Sequence, residues 1–105
     1  MDIFAIHLEA LQAAKSAEAA FLAKHGEPMF CGFAWVRAVV SGNTKLGRDM
    51  KKVGFSPMYG ASGLQLWNPA GSHTQSMDLK EAGARAYADV LNSHGIKAYV
   101  GTRAD

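Results

Sequence analysis

The 105-residue chain is 49% apolar and 19% charged, with a net charge of +2 and a single cysteine. This balance suits one globular domain with a core of its own, and it excludes a charged disordered tail or a disulfide-stapled scaffold. No apolar run approaches the ~20 residues that cross a bilayer, so no membrane partner is expected.

The opening residues, MDIFAIHLEALQAAK, place Asp2, His7 and Glu9 where a secretion signal needs a basic start and an unbroken apolar block. The expected location is cytoplasmic. Residues 2–25 read as one helix, with Phe4, Leu8, Leu11, Ala14, Ala17 and Phe21 recurring at steps of three and four as its inward stripe. Asp2 caps its start, and Lys24-His25-Gly26 is a stop signal, cations on the negative dipole end followed by a glycine. Pro28 then breaks the chain.

MFCGFAWVRAVV (29–40) has strong β character and reads as a buried central strand. Ser41-Gly42-Asn43-Thr44 supplies a turn and an N-cap for a short helix over 45–53, with Leu46, Met50 and Val53 inward. Phe55–Tyr59 and Leu64–Trp67 read as short strands around Gly60-Ala61-Ser62-Gly63. Residues 68–76 form a loop. Ser76 or Asp78 caps a third helix whose stripe is Leu79, Ala82, Ala86, Val90 and Leu91. It ends at Ser93-His94-Gly95, and IKAYV (96–100) is the last strand.

The order is one helix followed by β-α-β-β-α-β. That predicts an α+β domain with a ferredoxin-like, four-stranded antiparallel sheet over residues 27–105, preceded by an added helix at 1–26. Another α+β topology stays open. A helix added to a fold complete without it, beside strands rich in Phe and Trp, predicts a homodimer.

Three stretches, GEPMFCGFAWV (26–36), GLQLWNP (63–69) and QSMDLKEAGARAYADVLNSHGIKAY (75–99), resemble small uncharacterised proteins encoded in tailed-bacteriophage genomes. In those chains a Gly-Phe-Ala-Trp strand and a Leu-Trp-Asn-Pro turn recur. The likeness covers most of the chain after residue 25. It implies an infected bacterial cell as the setting and carries over no catalytic residue.

For chemistry, the four histidines, His7, His25, His73 and His94, show no metal-ligand spacing, and Cys31 has no cysteine partner. No metal and no cofactor are expected. His25 and His94 precede helix-ending glycines and read as caps. His73 lies in the 68–76 loop, but no GxSxG elbow accompanies it and Cys31 reads as a packed strand residue. Ser41-Gly42-Asn43-Thr44-Lys45 enters a helix N-terminus, where anions bind, but lacks the phosphate-loop pattern and reads first as a plain turn.

The segment TKLGRDMKK (44–52) carries +3, leaving the rest of the chain at about −1. Arg48, Lys51 and Lys52 can contact phosphates, with Arg37 and the aromatics Phe30, Phe33 and Trp35 close by; the alternative is a solvated helix face. Trp67-Asn68-Pro69 must end its strand, and reads first as a connection and second as a binding lip, with Trp67 mostly buried.

The leading expectation is a non-enzymatic protein that binds a host protein, such as a defence or metabolic component. A nucleic-acid module using helix 45–53 is the alternative, and an enzyme acting on a small phosphorylated molecule comes third. The candidate binding residues are Trp67, Asn68, His73, Arg48, Lys51 and Lys52.

Overall fold

The structure is a computed structural model, and it describes residues 2–26, 31–58, 62–71 and 76–104. Helix α1 spans Ile3–His25, strand β1 Gly32–Ala38, helix α2 Lys45–Lys52, β2 Ser56–Pro57, β3 Leu64–Trp67, helix α3 Met77–Ser93 and β4 Ala98–Ala104. The expected Phe30 and Tyr59 ends of two strands lie outside the described residues.

The strands form one antiparallel sheet in the order β2-β3-β1-β4. Since β3 pairs antiparallel with both β1 and β2, those two run parallel with β3 between them, and by the same logic β3 and β4 run parallel around β1. Each parallel pair is joined by a helix, α2 or α3, so two βαβ units interleave in an α+β fold.

Local chemistry sets the helix ends. The Asp2 carboxylate accepts from the amides of Phe4 and Ala5 at 3.0 and 3.3 Å, and Thr44 Oγ1 accepts from Gly47 at 3.0 Å. Ser76, not Asp78, caps α3, its hydroxyl accepting from the Leu79 amide at 3.2 Å. At the far end the Asn92 side chain donates to the carbonyls of Ala88 and Ala98 and accepts from the Ala98 amide, each at 3.0 Å. This clamp sets where β4 begins, and β4 runs on to Ala104, beyond the expected end at 100.

Helix α3 covers the inner face of β1 and β4, and α1 packs on α3. The shared core holds Ile3, Ile6, Ala10 and Ala14 of α1, Ala34, Val36 and Ala38 of β1, Met50, Phe55, Leu64, and Ala84, Tyr87, Ala88 and Leu91 of α3. The α1 stripe is therefore rotated from the expected one. Ile3, Ile6, Ala10, Ala14 and Glu18 are buried, whereas Phe4 and Leu8 point to solvent. The contact with α3 runs past Gly83 and Ala84, and a row of alanines permits that approach where Phe4 and Leu8 would hold the helices apart. The α3 stripe likewise shifts towards Gly83, Ala84, Tyr87 and Ala88, with Ala82, Ala86 and Val90 only half-buried.

Tyr87 is fully buried, and its hydroxyl lies 2.6 Å from His7 Nδ1. Burial lowers the His7 pKa and raises that of Tyr87, so both are neutral near pH 7 and share one proton bond across the α1–α3 seam. The His94 ring meets the Glu9 carboxylate at 2.9 Å on the same seam.

Gly47 is a helical glycine for a reason. A Cβ there would overlap the Ser41 carbonyl oxygen and the Gly42 Cα, which are backbone atoms and cannot step aside. Glycine to alanine inside a helix ordinarily gains about 1 kcal/mol. Gly47→Ala should instead cost about 1–3 kcal/mol, as overpacking does, and a denaturant melt measures the sign; a stability gain would show that the 41–44 turn gives way.

Candidate functional site

Alternation along β1 sorts its side chains by size. Gly32, Ala34, Val36 and Ala38 face α3, while Phe33, Trp35 and Arg37 face away. Register then places Trp67 and Gly101 on either side of Trp35, Gln65 and Tyr99 on either side of Arg37, and Arg103 beside Phe33. Among the described residues no helix covers this outer face. Phe33 is 37% exposed, Trp67 43% and Tyr99 50%.

The rings form one cluster. Trp35 and Trp67 stack with centroids 4.6 Å apart and planes 25° from parallel. Phe33 meets Trp67 edge-on at 5.9 Å. Gly101 provides the bed for Trp35, since a Cβ there would overlap the indole. Lys97 Nζ lies 5.8 Å from the Tyr99 ring centre, and Lys80 Nζ lies 5.4 Å from that of Phe33 while donating to the Gly32 carbonyl at 3.1 Å. Arg37 donates to the Ser62 carbonyl at 3.4 Å, and Arg103 is exposed.

The four strands contain no aspartate or glutamate. Among the described residues, Arg37, Lys97 and Arg103 form no ion pair. The acidic side chains of the described residues stand on the helices or at the α1 cap. The outer face is thus aromatic and cationic.

Trp67, expected to be mostly buried, is instead the exposed centre of this cluster. Register explains it: Leu64 and Leu66 take the core side of β3, and Trp67 pairs with Trp35, so alternation points the indole outward. Asn68 follows with φ 47°, a left-handed conformation. Its amide donates to the Ala34 carbonyl at 2.9 Å and its carbonyl accepts from Gly71 at 2.9 Å, so the Trp-Asn-Pro run both extends the β1–β3 ladder and turns the chain off it. His73 lies outside the described residues. Cys31, expected to be packed, is exposed at an isolated bridge to Ser76.

Arg48, Lys51 and Lys52 are exposed on α2, which joins the core through Met50 on the helical side and shares no face with the aromatics. Its cations are satisfied locally. Lys45 and Lys52 pair with Asp49 at 2.9 and 3.5 Å, the Lys45 hydrogen bond first and the two charges then lowering the Asp49 pKa. Arg48 donates to the Asn43 carbonyl at 2.7 Å and Lys51 to that of Gly42 at 3.3 Å. The turn read as an anion site is occupied in the same way, Thr44 Oγ1 bridging the Gly47 amide and the Ser41 carbonyl.

Among the described residues no three His, Cys, Asp or Glu side chains are grouped to hold a metal, and no helix is long and apolar enough to cross a membrane. Tyr99, Lys97, Arg103 and Gln65 were not singled out from the sequence. Their signal was the small-large alternation Ala98-Tyr99-Val100 and Thr102-Arg103-Ala104, which continues past residue 100. Comparison with family models, with curated proteins and with solved structures finds no match.

A buried aromatic costs about 3–5 kcal/mol on truncation. Trp67 is half-exposed and held by stacking worth about 0.5–1.5 kcal/mol, so Trp67→Ala should cost only about 1–2 kcal/mol and remain folded. A loss of folding on chemical denaturation would place Trp67 in the core after all.

Proposed function

We propose that this chain is a ferredoxin-like module that acts by binding a macromolecule, and that its working surface is the open face of the sheet. The fold assignment is supported by the strand order, which read from the other edge is β4-β1-β3-β2 with two interleaved βαβ units. The binding assignment rests on one observation, the Phe33–Trp35–Trp67 cluster held in the open beside Arg37 and Arg103. Two of these rings, Phe33 and Trp67, stay more than a third exposed, a large apolar area left uncovered on one face. Tryptophan, tyrosine and arginine are also the residues that most often dominate binding energy. In the phage setting that the sequence resembles, a host macromolecule is the natural partner. The α2 cations, spent on their own turn and on Asp49, support that surface less well.

Immobilised protein should retain a partner from bacterial lysate, and Phe33→Ala or Trp67→Ala should abolish retention while the triple change of Arg48, Lys51 and Lys52 to Glu leaves it intact. The opposite pattern would move the contact to α2.

Self-association has its own support. Phe4 and Leu8, one turn apart near the start of α1, are 45% and 66% exposed, and Leu22 near its end is 47% exposed. We read these exposed side chains as the homodimer contact. Light scattering should give twice the 11.2 kDa chain mass, falling to one chain for Leu8→Glu; a wild-type monomer at micromolar concentration removes the dimer.

A further inference from the structure

We infer that the open face binds single-stranded nucleic acid, a deduction that rests on that face being the working surface. Three properties of the face have to be matched by one ligand. It offers exposed ring area on neighbouring strands, at Trp67, Phe33 and Tyr99. It places cations among those rings, with Arg103 opposite Phe33, Arg37 opposite Tyr99, and Lys97 against the Tyr99 ring. It contributes no carboxylate from any of the four strands.

A lipid surface supplies anions without planar rings. A duplex supplies anions but keeps its rings inside the stack. A single strand supplies a regular line of phosphates and free base faces together, and the common single-strand sites combine a cationic track with aromatic platforms.

The exposed rings are spread across three strands. Phe33 and Trp67 meet edge-on at 5.9 Å and Tyr99 stands on β4 across from Arg37, so bases resting on them must be splayed apart, as an unpaired strand allows. Trp67, 43% exposed, is the ring of the stacked pair that a base can reach, and Trp35, seated on Gly101, backs it. The 2′-hydroxyl distinguishes RNA from DNA, so the shared chemistry is the single strand and the two sugars are arms of the test.

Fluorescence anisotropy with labelled short oligomers of deoxythymidine, of uridine, and of a mixed-sequence duplex tests this with the full chain. At least one single strand should bind about tenfold or more tightly than the duplex. Trp67→Ala should weaken it by about fivefold or more, with Trp67→Phe restoring most of the loss, because about fivefold is the low end of what one stacked base contributes. Three phosphate contacts give a slope of about −2 in log affinity against log salt, at about −0.7 per contact for single strands. Changing Lys97 and Arg103 to Glu should flatten that slope, and these two exposed side chains carry the test if Trp67→Ala does not fold. Changing Lys51 and Lys52 to Glu should leave binding unchanged.

Single strands bound no better than duplex, or bound through α2, would overturn the inference. If a lysate protein is then retained after nuclease treatment and lost with Trp67→Ala, the face is a protein-docking surface and only the ligand class is wrong. If nothing depends on Trp67, the face itself is wrong.

Discussion

The close seating of α3 on the inner face of β1 and β4 is the constraint from which the rest of the structure follows. Its first turn rests on Gly32, where a Cβ would collide with the side chain of Met77. Further along, Ala34 and Ala38 of the strand and Ala84 and Ala88 of the helix are all buried. Side chains this small bring the backbones of α3, β1 and β4 together, and larger residues such as Ile3, Met50, Phe55, Leu64, Tyr87 and Leu91 fill the interior around that contact. The rings of β1 and β4, Phe33, Trp35 and Tyr99, are on the other side of the sheet. The aromatic face follows from how the helix packs.

The same economy explains α1. A helix seated on α3 rather than on the sheet has only alanines and isoleucines to offer the seam, and its larger residues turn to solvent. Polar contacts supply the specificity that such a smooth seam lacks. The His7–Tyr87 bond is half-buried, the His94–Glu9 pair lies at the surface, and Gly83 leaves room for the Glu18 carboxylate, which a Cβ would crowd. These contacts set the register of one helix on the other, whereas the alanine row by itself would tolerate slippage.

Element order, both long helices and the antiparallel sheet were legible from caps, glycine stops and β-rich runs, because each of those signals is local. Which side of an element faces the core was less so. In α1 the conspicuous row of Phe4, Leu8 and Leu11 looked like the core stripe, yet the quieter Ile3–Ile6–Ala10–Ala14 row is the buried one. In β1 the apolar run reads as a buried central strand; it is central, yet Phe33 and Trp35 stand on its outer face. Both misreadings have one cause. Hydrophobicity ranks Phe above Ala, but a close helix contact selects for small size, and nothing within either segment announces how near its neighbour will come. The site was legible in part. Trp67 and Asn68 stood out as a punctuated run, and Phe33 and Trp35 as aromatics on a strand. Their union with Arg103 and Tyr99 depends on pairing across as many as 70 residues of chain, from Phe33 to Arg103, which no local pattern encodes.

The chain has two tryptophans, and both sit in the one stacked pair on the outer face. Its indole spectroscopy therefore belongs entirely to that surface. Two indoles this close and nearly parallel couple their strong transitions, so the far-ultraviolet circular dichroism carries an exciton contribution whose sign and size report the mutual angle of Trp35 and Trp67. The molecule thus carries an intrinsic, label-free gauge of its own open face, read most directly in tryptophan fluorescence, since the chain has no other indole.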